Sequence, residues 1–181
     1  MKYMEKRKMA KYHIYTDGSC RSNPGAGGWG VIILDEEEDV IFFVEHDTND
    51  YTTNNRMELE AMICALGYAA DHPEDEFIIY SDSAYVVNSC NSWIPTWVKN
   101  GWRNSKKQEV ENVEQMKEIW SYLSRDFFNA DVRKCDGHAG NIGNELADAL
   151  AIGSTKRFEK LVDEFHLVFA FSCGDNWHPI D

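Results

Sequence analysis

Two apolar, strand-like runs in this chain each end on an aspartate: Ile14-Tyr15-Thr16-Asp17 and Phe77-Ile78-Ile79-Tyr80-Ser81-Asp82. Ligands gather beyond the carboxyl ends of parallel strands in α/β sheets. A fold that pairs these runs side by side would hold the two carboxylates within several ångströms. Two more acids lie in helix-like runs, Glu58 in Asn54-Asn55-Arg56-Met57-Glu58-Leu59 and Asp148 in Asn144-Glu145-Leu146-Ala147-Asp148. Asn54 and Glu58 are four apart and share a helix face, and Asn144 and Asp148 repeat the spacing. If the fold collects all four acids, they need cations, because neighbouring carboxylates raise each other's pKa.

The order of elements suits such a gathering. Tyr12 to Asp17 is expected as a strand, followed by a glycine-rich loop from Gly18 to Gly28. Trp29 to Leu34 and Val40 to Val44 are expected as a hairpin around the acidic turn Asp35 to Asp39. Leu59, Met62, Ile63, Leu66 and Ala70 predict one apolar helix face over Asn54 to Ala70. Phe77 to Tyr80 predicts a buried strand and Tyr85 to Cys90 a short helix. A tryptophan-bearing segment broken by Pro95 and Gly101 comes next. A helix over Val110 to Leu123, a strand over Asp131 to Cys135 and a helix over Asn141 to Ile152 complete the pattern. Strands alternating with helices predict an α/β fold. Lys156 to Phe165 has helical character, and Leu167 to Phe171 suits a short strand or docking segment.

The 181 residues fit one domain with decorated ends. The expected division is a basic tail over 1–10, a catalytic domain over 11–152 and an extension over 153–181. A net charge of -13 runs against the basic footprint of most nucleic-acid binders. Bound metal would offset part of it, and the acid runs at 35–39 and 71–76 are expected as solvated turns. Five scattered cysteines, no Cys-x-x-Cys pair and no signal-peptide core predict a reducing, cytoplasmic setting. No apolar run suffices to span a bilayer. Nothing calls for an obligate protein partner, and a monomer is expected.

Oxygen-only ligands select hard cations, so Asp17, Glu58, Asp82 and Asp148 point to Mg2+, with Mn2+ able to substitute. Two such ions can clamp a phosphodiester, one activating water and the other stabilising the leaving oxygen. His138, between glycines in Gly137-His138-Ala139-Gly140, is a candidate for proton transfer or product release.

With these residues in view, the chain resembles type 1 ribonuclease H. The resemblance rests on Thr16 to Cys20 with Asn23 to Gly30, on Thr53 to Leu59, on Ser81 to Val86, and on Gly137 to Gly140 with Asn144 to Asp148. It covers about Lys11 to Ile152. It implies a five-stranded mixed sheet, three antiparallel strands followed by parallel ones, flanked by helices. It also implies hydrolysis of the RNA strand of RNA–DNA hybrids, with Asp17, Glu58, Asp82 and Asp148 as metal ligands and His138 as a catalytic histidine. Asn23, Asn54 and Asn55 become contacts to the hybrid's minor groove. An amide donates and accepts, so it can engage a ribose 2′-hydroxyl as well as base edges. Thr53 and Arg56 join them, with a structural ion pair as the other role open to Arg56. The segment at about 92–109 resembles the family's handle, where Trp102 is the candidate for stacking on a DNA sugar.

Two features depart from the family. Ala84 stands where many bacterial members carry glutamine, and the handle has few basic residues: Lys99, Arg103, Lys106 and Lys107. Two other readings stay open at this level: a non-catalytic hybrid-binding module, and a nuclease of the same fold acting on another nucleic acid.

Overall fold

The computed structural model describes residues 9–137 and 140–170. Five strands carry the sheet's body: β1 (Lys11–Cys20), β2 (Gly25–Asp35), β3 (Val40–Thr52), β4 (Glu76–Ser81) and β5 (Ala130–Lys134). A sixth, β6 (Val168–Phe169), pairs parallel with β3 at the opposite edge from β5. The order is β5-β4-β1-β2-β3-β6. β1 to β3 form an antiparallel meander, while β4 runs parallel to β1 and β5 parallel to β4. The implied count of five strands is therefore exceeded by one, because the extension returns to the sheet.

Two helical layers cover the sheet. On one face, α1 (Asn54–Asp71) and α4 (Val113–Leu123) close a core of Ile14, Val31, Ile33, Leu59, Met62, Leu66, Phe77, Ile79, Met116 and Ile119. Thr53 caps α1 by accepting a hydrogen bond from Arg56 N. On the other face, α5 (Ile142–Ala151) and α6 (Thr155–Glu164) close a second core around Tyr15, Ile32, Leu34, Ile41, Leu146 and Leu150.

Several expected boundaries move. β1 continues through Gly18 to Cys20, so the expected glycine-rich loop shrinks to residues 21–24. β3 runs eight residues past Val44, through a polar stretch that is mostly exposed and so carries no alternating apolar signal. The helix expected from Val110 begins at Val113, because Asn112 adopts a left-handed backbone with φ 53°. Pro95 does not break its segment. α2 (Ala84–Asn88), a π-helical turn (Ser89–Trp93) and α3 (Ile94–Lys99) follow without a gap, with the proline in α3's first turn, where its missing N–H is tolerated.

The acidic runs are not simple solvated turns. Asp75 is buried and accepts from Ala10 N at 3.0 Å. Glu38 Oε1 accepts from the Tyr15 hydroxyl at 2.6 Å and lies 2.7 Å from His13 Nδ1. These two acids anchor the start of β1 and the β2–β3 turn.

α6 docks through Phe158 and Leu161, and Leu167 buries beside them. The extension is thus integral to the second core as far as Phe169. Replacing Phe158 by Ala is expected to cost about 3 kcal/mol in urea-induced unfolding, the usual scale for truncating a buried phenylalanine. A loss under about 1 kcal/mol would mark α6 as a frayed appendage instead.

Candidate active site

The parallel pairing of β1 with β4 ends at Thr16 opposite Ser81, so Asp17 and Asp82 follow side by side. Asp17 is not itself at the end of β1, which goes on along β2. The carboxylate faces the open end of the parallel ladder all the same. α1 crosses here at very close range. A Cβ on Gly18 would lie 2.1 Å from Glu58 N, so only glycine lets the helix backbone come down onto β1. A Cβ on Gly137 would likewise lie 2.7 Å from Asp82 Oδ2. The two glycines act by leaving room around the acids, a role hidden in the sequence.

Asp17, Glu58 and Asp82 each present an oxygen, and these oxygens lie within 4.8 Å of one another. Asp17 and Glu58 are 8% and 5% exposed, so water does little to screen them. Burial, then the charges of Asp82 and Asp148, push the Asp17 carboxyl up to about 7. Burial, then the charges of Asp17 and Asp82, push Glu58 up to about 9. Glu58 Oε2 is buried without a hydrogen-bond partner. A buried acceptor with no donor, beside two more carboxylates, suits a cation as its partner. An all-oxygen set of this kind fits Mg2+ or Mn2+.

Asp148, on α5, joins from one side. Its charge is among the causes that raise the Asp17 carboxyl, but it falls outside the three-acid group. Its Oδ2 accepts from Arg157 Nη1, on α6. Asn144, one turn before it, is buried, with Oδ1 accepting from Cys135 Sγ at 3.3 Å. That amide faces the core, unlike Asn54, which is half-buried at the start of α1.

The remaining expected residues group around the start of α1. Asn54 N donates to Asn23 Oδ1 at 3.3 Å, which ties the β1–β2 turn to the helix. Asn55 and Arg56 are exposed. Arg56 Nε donates to Asn112 Oδ1 at 3.4 Å rather than to a carboxylate, and Asn112 Nδ2 donates to the Tyr85 hydroxyl. A cavity of about 430 Å³ opens beside Arg56 and Asn112. Trp102 is half-buried against the first core, and its backbone adopts φ 59°. Ala84 is exposed at the start of α2. His138 lies outside the described residues. Sequence reasoning did not single out Arg157 or Lys134, whose Nζ donates to the Asp82 carbonyl at 3.3 Å.

A carboxylate-only centre at the open end of two parallel strands, approached by helices from both sheet faces, defines a class of metal-site enzymes rather than a binding surface. The comparisons narrow the class. The RNase H family model matches residues 9–155. A ribonuclease H from Legionella pneumophila (strain Lens) is 43% identical over 141 residues, 78% of this chain and 94% of that protein. One from Acetivibrio thermocellus is 43% identical over 157 residues, 84% of this chain and 99% of that protein. Among solved structures, LC9-RNase H1, a type 1 RNase H with the type 2 active-site motif, aligns with TM-score 0.66 and 27% identity over 81% of this chain and 72% of that one. The foamy viral protease-reverse transcriptase, solved with an RNA/DNA hybrid, aligns with TM-score 0.68 and 27% identity over 82% of this chain and 21% of that one. The chain belongs to the RNase H family.

Proposed function

We propose that this protein hydrolyses the RNA strand of RNA–DNA hybrids endonucleolytically, leaving 5′-phosphate and 3′-hydroxyl ends. The observation that carries this reading is the meeting of Asp17, Glu58 and Asp82 oxygens within 4.8 Å. Asp148, whose charge acts on Asp17, would complete the set, with Asp17 common to two candidate cation positions. Divalent ions held there would neutralise charge on the scissile phosphate and lower the pKa of the attacking water.

The protein's own part is to orient the hybrid. Asn23, Asn54 and Asn55 stand around one helix terminus, where amides can sense the 2′-hydroxyls that mark the RNA strand. Arg56, next to Thr53, extends this surface to the cavity near Asn112. Trp102 supports a sugar-stacking role less directly, since part of its ring packs on the core. His138 would move the proton or help product leave. Among the described residues, no helix is long and apolar enough to cross a membrane.

The test is a three-way comparison of labelled RNA–DNA hybrid, duplex DNA and duplex RNA, with Mg2+ and separately with Mn2+. The expected result is internal cutting of the hybrid's RNA strand and neither duplex cleaved. Cleavage of duplex DNA would reassign the substrate. An intact hybrid at low salt, with binding retained, would favour a non-catalytic module.

A further inference from the structure

Arg157 pairs with Asp148, and it does so from outside the part of the chain that the family model matches, which ends at residue 155. Its helix is held in place independently of that pair. Phe158 and Leu161 bury α6 in the second core, and Val168 and Phe169 tie the following segment to β3. The guanidinium is therefore delivered to Asp148 by a packed element. The two side chains are 33% and 18% exposed, so water screens the pair only in part. Among the described residues, no other cation forms an ion pair with any of the four acids.

The arrangement divides the Asp148 carboxylate. Oδ2 accepts from Arg157, while the charge of the same carboxylate also acts on Asp17. A cation between these two aspartates must approach a carboxylate that is already paired with a full positive charge, the Arg157 guanidinium. Repulsion between two cations on one carboxylate is strong at the dielectric of a half-buried site. We propose that Arg157 is a resident cation on Asp148 that a divalent ion at the Asp17–Asp148 position must displace, so that α6 sets the metal concentration at which this position fills.

This inference rests on Asp148 being a metal ligand, and the experiment separates the two claims. Full-length protein is titrated with Mn2+ alone, and bound ion is counted by the loss of the free-ion electron paramagnetic resonance signal. Asp148→Asn is measured first and is expected to remove one class of sites. If it leaves the titration unchanged, Asp148 is not a ligand, and the proposal falls with that reading. Arg157→Met keeps the aliphatic stem and removes the charge, and Arg157→Lys keeps the charge. The methionine variant is expected to fill the Asp148-dependent site at about tenfold lower Mn2+, the scale of one pKa unit in charge interaction. The lysine variant should stay within about twofold of the unmodified protein, since a point charge replaces the fork. If Asp148→Asn removes the site but Arg157→Met, with its circular dichroism intact, fills it at the same or higher Mn2+, Arg157 does not compete and the proposal is overturned. A purely structural role for Arg157 predicts that second result, because looser packing would weaken binding.

Discussion

Glu58→Gln is expected to raise the melting temperature of the metal-free protein by about 5 °C at pH 8 while lowering hybrid cleavage by about a thousandfold. The two effects have one origin. Glu58 is 5% exposed, its Oε2 has no donor, and burial with the charges of Asp17 and Asp82 holds its pKa at about 9. At pH 8 the unfolded chain carries this group ionised, so the fold must either take up a proton or tolerate a buried, repelled charge. Glutamine has nearly the same shape, no charge, and an amide that can donate to the neighbouring carboxylates. It removes that cost, on the order of a few kcal/mol. It also removes one of three convergent oxygen ligands, and the work of charge neutralisation at the phosphate is lost with it. Thermal unfolding in a chelator and a cleavage assay in Mg2+ check the two halves separately. A lower melting temperature would refute the account of a strained carboxylate. Retained cleavage would remove Glu58 from the metal set.

The gain in stability on losing a functional group bears on what was legible in the chain. Asp17 and Asp82 were readable because strand ends in a parallel pair converge, and the pairing of Thr16 with Ser81 brings this about. Glu58 was readable from helix spacing. The conditions that let them meet were not. Gly18 and Gly137 act through the contact their missing side chains permit, which depends on partners 40 and 55 residues distant in sequence. Strand ends were misjudged wherever one face is solvent, as along residues 45–52, since alternation fades when neither face is buried. Glu38 and Asp75 looked like turn acids because their donors, Tyr15 and Ala10, lie in or just before β1, far off in sequence. Arg157 escaped for a related reason. It lies nine residues after Asp148, a spacing with no meaning on a single helix, and meets it because the chain reverses at 152–154 and lays α6 against α5. The i, i+3 pair Phe158 and Leu161 was the signal that this segment docks.

Metal-free protein should lose stability as pH rises, and divalent ions should reverse the trend. Asp17 moves from an ordinary 3.8 to about 7 on folding, and Glu58 from 4.5 to about 9. Below about pH 3 both carboxyls are protonated in either state, and the folded form keeps its full advantage. As pH rises further, the unfolded chain ionises first. The folded state must hold its protons against a growing gradient, and stability falls until Asp17 releases near 7 and Glu58 near 9. Each group contributes up to about 1.4 kcal/mol per pH unit within its window. A melting temperature in chelator is therefore expected to drop by roughly 20 °C between pH 5 and pH 9. The net charge of -13 pushes the same way through general repulsion, so the slope alone does not identify the site. Glu58→Gln isolates it, since the variant keeps nearly all of that charge and should flatten the slope between about pH 4.5 and 9, Glu58's own window. Millimolar Mg2+ should reverse the dependence in the unmodified protein, because ions bind the ionised carboxylates and become more stabilising as protons leave. Equal slopes for the variant and the unmodified protein would trace the pH effect to surface charge. A Mg2+ effect independent of pH would mean that the ion binds without displacing protons, and the cluster of Asp17, Glu58 and Asp82 would then lie outside its site.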